Sequence, residues 1–110
     1  MEKVVWSGEF SLEAADFTGY VVNGVYIIWH RGNPGRVVRI GQGDVASRLS
    51  SHRKDAAILA YRASGDLYAK CAAVPTHLRD GVERYLAEKW LPLVGDRFPD
   101  VSPIAVNDPW

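Results

Sequence analysis

Two stretches rich in β-branched and aromatic residues, separated by a dense cluster of turn formers, constrain the fold of this chain most. "GVYIIWH" (residues 24–30) is followed by "RGNPG" (31–35) and then by "RVVRIGQG" (36–43). β-Branched and aromatic residues favour strands, whereas Gly, Asn and Pro favour turns. The pattern therefore predicts a β-hairpin, around which the rest of the fold has to be built.

The second predicted strand leads directly into a predicted helix. Asp44 follows two glycines and stands where an N-cap belongs, and Val45 and Leu49 then recur at helical spacing. We expect this helix to run to about Lys54.

The second half of the chain predicts another strand and another helix. "DLYAKCAAVP" (66–75) has strand composition and ends at Pro75, and Thr76 is well placed to cap a helix that runs to about Trp90. The proline-rich residues after this helix are typical of an extended tail. Residues 1–23 form an N-terminal extension whose role the sequence leaves unclear.

This order of elements predicts an α+β fold with a small three-stranded, mainly antiparallel sheet flanked by helices. The 110 residues suffice for one compact domain and are too few for two ordinary ones. We therefore expect residues 1–110 to form a single domain.

Composition and patterning exclude several classes of protein. No apolar run approaches the roughly 18 to 20 residues needed to cross a bilayer, and the first residues lack the pattern of a secretion signal. We expect a cytoplasmic protein with no membrane partner. The single cysteine, Cys71, supports neither an internal disulfide nor a zinc framework, and its apolar neighbours favour a small core residue.

The charges are unevenly distributed along a chain whose net charge is zero. Residues 30–54 contain six basic residues and one acidic residue, a net charge of +5, and the remaining seven basic and twelve acidic residues sum to −5. A local basic surface on a neutral protein suits an anion that is gripped at one place, such as a short length of phosphate backbone. An ordinary solvated turn would have the same composition.

Five side chains are candidates for chemistry. Arg48 and His52 are four residues apart on the first helix and so share one face, where a guanidinium can hold two phosphate oxygens and an imidazole can exchange a proton near neutrality. Tyr26 lies mid-strand, Glu83 lies beside the apolar stripe of the second helix, and Asn107 lies in the tail. Each of these residues, taken alone, also fits an ordinary structural role.

Taken in order, the motifs resemble the GIY-YIG nuclease family. They are "GVY" at 24–26, "RIG" at 39–41, "DVASRLSSH" at 44–52, "GVERYL" at 81–86 and "VNDP" at 106–109, so the resemblance extends over residues 24–109. It implies a three-stranded sheet flanked by helices. It also implies hydrolysis of a DNA phosphodiester bond with one divalent metal ion, Mg²⁺ or Mn²⁺.

The resemblance also implies roles for particular residues. Glu83 would bind the metal ion, Tyr26 would orient or deprotonate the attacking water, and Arg48 would clamp the scissile phosphate. His52 and Asn107 would be supporting members of the site.

One position departs from the family pattern. The second motif of the family usually begins with tyrosine, and this chain has Arg39 there. Either the site has decayed or a basic residue does the work of the tyrosine, and we expect retained activity because the other candidate residues are all present. A cation near Tyr26 would favour its phenolate, so we expect Arg39, opposite Tyr26 across the hairpin, to lower the pKa of Tyr26 or to contact the phosphate.

The sequence therefore predicts a metal-dependent DNA endonuclease. The alternatives are a catalytically inactive nucleic-acid-binding or scaffold domain of the same fold, and an unrelated α+β interaction domain. DNA specificity and pathway stay open, as does the choice between a homodimer and a specificity-providing protein partner.

Overall fold

The computed structural model describes residues 1–95 and 97–110. Within these ranges the chain forms an α+β fold with an antiparallel sheet whose strand order is β1-β4-β2-β3. The strands are β1 (Phe10–Ser11), β2 (Asn23–His30), β3 (Arg36–Asp44) and β4 (Leu67–Ala73). The helices are α1 (Val45–His52), α2 (Ala56–Leu59), which continues into a 3₁₀ turn (Ala60–Ala63), and α3 (Thr76–Trp90).

The predicted hairpin is confirmed as β2 and β3, and the third predicted strand is β4. The sheet nevertheless has four strands and not three, because the two-residue β1 pairs with the outer edge of β4. Part of the N-terminal extension thus completes the sheet. The short helix α2 and its 3₁₀ turn were also not predicted, since their sequence has no apolar period long enough to indicate a helix.

Strand β2 is buried on both faces, which explains its nearly continuous apolar composition. Alternate side chains point to opposite layers. One layer contains Tyr26 and Ile28 with Leu49 of α1, and the other contains Val25 and Ile27 with α3. The two layers share the same central strand, so side chains on either face of the sheet are positioned by the buried core.

The N-terminal cap of α1 agrees with the sequence prediction, and the N-terminal cap of α3 does not. The Asp44 carboxylate accepts a hydrogen bond from the Ser47 N–H (3.3 Å), which confirms the predicted cap, although α1 ends at His52 and not at Lys54. The predicted cap of α3 is wrong. Pro75 occupies the N-cap position without a side-chain hydrogen bond, and Thr76 is the first helical residue.

Two segments outside the regular elements are held in place by backbone hydrogen bonds. The N-terminal segment is tied to the tail, where the Glu2 N–H donates to the Ala105 carbonyl (2.9 Å). After α3, the N–H groups of Leu93 and Val94 donate to carbonyls of Val37 and Val38, so this segment covers the free edge of β3. In the described ranges no helix combines the length and the apolar character that crossing a bilayer would require.

Candidate functional site

The best-defined contact among the candidate residues joins Tyr26 of β2 to His52 at the end of α1. The Tyr26 Oη lies 2.6 Å from the His52 Nε2, and the two rings are 5.4 Å apart between centroids. Strand β3 pairs with β2 and leads directly into α1, so the helix is held beside the middle of β2. Tyr26 itself is 2% exposed.

A glycine makes room for the Tyr26 ring. Gly41 is the direct partner of Tyr26 on β3, and a Cβ added at Gly41 would overlap the phenol oxygen and ring carbons. The phenol therefore lies across the bare backbone of the edge strand. This packing gives a physical reason for the glycine of the "RIG" motif.

Arg39 does not lie opposite Tyr26, as the sequence had suggested. The register pairs Arg39 with Ile28 and is shifted between Ile28 and Trp29 by a bulge, so Arg39 is a diagonal neighbour of Tyr26. Its guanidinium lies against Gly95 in the segment that covers β3. The Arg39 Nε is buried and has no hydrogen-bond partner among the described residues.

The pKa of Tyr26 is raised, which corrects the expectation of a lowered value. Burial is the main cause, because it disfavours the charged phenolate. The positive charges of Arg39 and Arg48 act in the opposite direction without overcoming burial, and Glu83 adds to the rise. Tyr26 is therefore a neutral phenol at neutral pH.

His52 is neutral at the same pH. Burial, helped by the positive charge of Arg39, lowers the pKa of His52 to about 4. Arg48 acts in the same direction, and Asp55 opposes it. The protonated phenol can donate its hydrogen bond to the His52 Nε2 in the tautomer that carries the imidazole proton on Nδ1.

Glu83 is a nearly buried carboxylate (9% exposed) held by a residue that sequence reasoning missed. The Gln42 Nε2 donates to the Glu83 Oε2 (3.1 Å) and to the Asp80 Oδ1 (2.6 Å). Burial raises the pKa of Glu83, whereas the hydrogen bond from Gln42 and the charge of Arg39 lower it. Gln42 is two residues after Ile40 on β3, and this alternation is the signal that could have placed it toward α3.

Arg48 is the exposed member of the group. Its Nε lies 3.4 Å from the position of a Cβ added at Gly43, so the side chain runs close over a second bare stretch of β3. Its charge affects the pKa values of Tyr26, His52 and Glu83. In the part of the chain that the structure describes, Arg48 forms no ion pair with an acidic side chain.

Asn107 makes its contacts elsewhere. Its Oδ1 accepts from the Val4 N–H (2.8 Å) and its Nδ2 donates to the Val4 carbonyl (2.9 Å). The Asn107 carbonyl accepts from the Trp6 Nε1 (2.9 Å). These bonds join the tail to the N-terminal segment, and none of the described hydrogen bonds links Asn107 to the other five candidate residues.

The structure thus joins Tyr26 and His52 by a hydrogen bond, and Arg39, Arg48 and Glu83 act on Tyr26 through their charges. Residues 1–95 and 97–110 contain no group of three or more His, Cys, Asp or Glu side chains able to hold a metal ion. Comparison of the chain with known protein families, with curated proteins and with solved structures found no match. The chemistry of the site is therefore argued from its geometry.

Proposed function

We propose that this protein is a metal-dependent DNA endonuclease of the GIY-YIG type. The observation that carries the proposal is the convergence of a phenol–imidazole pair, two guanidinium groups and a buried carboxylate on the glycine-containing part of β3. Hydrolysis of a phosphodiester bond needs a proton acceptor for the water, positive charge for the phosphate and a hard ligand for a cation. These residues supply each requirement.

Tyr26 and His52 activate water as a pair. A phenol with a raised pKa cannot take a proton from water while it keeps its own. His52 is neutral and its Nε2 accepts the phenol hydrogen, so the Tyr26 proton passes to His52 as Tyr26 receives the proton of the attacking water. The charge of the bound phosphodiester favours the imidazolium that results.

Arg48 and Arg39 bind the phosphate. Arg48 is exposed and forms no ion pair with a described residue, so its planar fork is available to two phosphate oxygens. Arg39 is more buried and fixed against Gly95, so it stabilises charge that develops on the phosphate with little reorganisation. This is how a basic residue could replace the usual tyrosine of the second motif.

The residues fit a divalent ion with few protein ligands. Gln42 donates to Oε2 of Glu83, and no hydrogen bond to Oε1 is present among the described residues. Mg²⁺ prefers carboxylate oxygens and keeps several of its waters, so the lack of a three-ligand cluster is compatible with it. The bound ion would supply positive charge to the reacting phosphate, and Glu83 would hold it there.

Cleavage of supercoiled plasmid and branched DNA tests the proposal. Purified protein should nick DNA with Mg²⁺ or Mn²⁺, but not with a chelator. Glu83→Gln should slow nicking by roughly 10²- to 10³-fold or more, whereas Glu88→Gln, an exposed change on the same helix, should not. Nicking by Glu83→Gln at the rate of the unmodified protein would exclude the proposed site.

The second candidate is a catalytically inactive nucleic-acid-binding or scaffold domain of the same fold. Arg39 in place of the usual tyrosine favours it. Such a domain would bind DNA equally well with and without a divalent ion, and it would not cut DNA under any of these conditions.

A further inference from the structure

The layer of the sheet that faces α3 contains an aromatic pocket that takes no part in the proposed chemistry. The pocket has a volume of about 410 Å³ and is formed by residues of β2, the turn before β3, β3 itself, α3 and the tail. Its lining residues are Trp29, Gly35, Arg36, Val37, Trp90 and Trp110.

Three tryptophan rings form much of the wall of this pocket. The ring of Trp110 stands nearly perpendicular to those of Trp29 and Trp90, with centroids 5.0 Å apart in each pair. Trp29 and Trp90 are anchored in the core, whereas Trp110 is 54% exposed. A partly exposed indole above a fixed aromatic floor is a surface on which a planar group can stack.

The positive charge of Arg36 at the rim of the pocket limits which ligands the pocket can bind. Arg36 is exposed beside the three indoles, so a cationic ligand such as a methylated amine would be repelled. An aromatic group attached to an anion satisfies both the indoles and the guanidinium. A nucleotide has this composition, and base stacking with phosphate contacts is how proteins commonly bind single strands.

The distance between the pocket and Glu83 allows one DNA strand to contact both. Trp90 is seven residues after Glu83 on α3, which places it two turns along the same side of the helix, or about 10 Å away. One strand of duplex DNA rises about 3.4 Å per nucleotide, so this separation corresponds to about three nucleotides. A strand held near Glu83 can therefore reach the pocket within a few nucleotides.

We propose that this aromatic pocket binds an unpaired nucleotide of the DNA, about three nucleotides from the phosphate at Glu83. The inference rests on the proposed function for the position of the scissile phosphate. The binding itself does not depend on cleavage. The preferred substrate is then DNA with a single-stranded segment beside the cut.

Fluorescence anisotropy of a short labelled oligothymidylate, measured with a chelator present, tests the pocket without cleavage. Trp110→Ala should weaken binding by about 5- to 150-fold, the loss expected for one stacked base. Trp110→Phe keeps an aromatic ring and should retain most of the affinity. Arg36→Gln should weaken binding and reduce its salt dependence, whereas Arg62→Gln, which removes an exposed cation elsewhere, should not.

An abasic oligonucleotide with the same number of phosphates separates stacking from charge. It should bind weakly to the unmodified protein, and Trp110→Ala should not weaken it further. Three results would overturn the inference. They are an equal loss of affinity for both probes in Trp110→Ala, an affinity of the unmodified protein for a duplex equal to that for the oligothymidylate, and no binding of the oligothymidylate by the unmodified protein. Binding through Trp110 without plasmid nicking would refute the nuclease alone, and nicking without an effect of Trp110→Ala on binding would refute the pocket alone.

Discussion

The Tyr26 Oη and the His52 Nε2 lie 2.6 Å apart although 26 residues separate them in the chain. Burial raises the pKa of Tyr26 and lowers the pKa of His52 to about 4, so both groups are neutral at neutral pH. A neutral phenol can donate its proton only to an acceptor with a free lone pair, which this imidazole provides. In the folded protein the proton therefore stays on Tyr26, and the pair is a hydrogen bond between two neutral groups.

Replacing Tyr26 by phenylalanine tests this pair. Tyr26→Phe keeps the ring on Gly41 but removes the oxygen, so DNA nicking should fall by about 10²- to 10⁴-fold, the usual range for the loss of a general base. Loss of the hydrogen bond should lower the free energy of unfolding by about 0.5–1.5 kcal/mol. Plasmid nicking rates and urea unfolding measure the two effects. Tyr61→Phe, outside the site, is the matched control, and a nicking rate unchanged by Tyr26→Phe would contradict the role.

The lowered pKa of His52 predicts a pH dependence of stability. In the unfolded chain His52 has a pKa of 6.5, against about 4 in the folded protein, so the unfolded state binds more protons between these values. The free energy of unfolding should therefore decrease as the pH falls from 6.5 to about 4. His52→Gln should remove this contribution and flatten the profile, as urea unfolding at several pH values would measure. Parallel profiles for the two proteins would contradict the lowered pKa.

The local pattern of the sequence was sufficient to predict the main elements of the fold. β-Branched and aromatic residues on either side of a turn predicted β2 and β3, and Asp44 predicted the start of α1, because short-range preferences decide these features. The two-residue β1 depends on pairing with β4 and leaves no such local signal. The cap of α3 was misplaced because Pro75 and Thr76 both suit a helix start.

The sequence predicted which residues form the site better than it predicted how they are arranged. The resemblance selected Tyr26 and His52, which the structure joins, but no local pattern gives the bulge that places Arg39 diagonally to Tyr26. Gln42 was missed because its role comes from α3 packing beside β3. The net rise in the pKa of Tyr26 depends on the depth of burial, which only the tertiary structure defines.

Glu83→Gln should separate catalysis from stability. The change keeps the shape of the side chain but removes the charge that holds a cation, so nicking should fall by roughly 10²- to 10³-fold or more. Because burial raises the pKa of Glu83, its charged form is disfavoured in the folded protein, and the neutral variant should melt at the same or a higher temperature. Calorimetry beside the nicking assay checks both results, with Glu88→Gln as the control. A clear drop in melting temperature would argue for a structural carboxylate.

Gly41→Ala tests the packing that holds the phenol in place. A Cβ at Gly41 would overlap the Tyr26 oxygen, so the ring must move and its hydrogen bond to His52 must lengthen or break. We expect slower nicking and a rise in the pKa of the displaced, more solvated His52, which NMR titration can follow. Gly8→Ala is the matched control, because a Cβ at Gly8 would meet no atom within 4 Å. Equal activity of the two alanine variants would show that the position of the phenol is not critical.

The effect of Arg39 on the pair can be measured without DNA. Arg39 is the second-largest cause, after burial, of the lowered pKa of His52, and its charge also opposes the rise in the pKa of Tyr26. In Arg39→Gln the pKa of His52 should therefore increase from about 4 but stay below 6.5, because burial persists. NMR titration of the imidazole, assigned with His52→Gln, measures the change, and Arg62→Gln should leave it unaltered. An unchanged His52 pKa in Arg39→Gln would mean that the guanidinium is too well solvated to act on the pair, and its role would then be limited to contact with the phosphate.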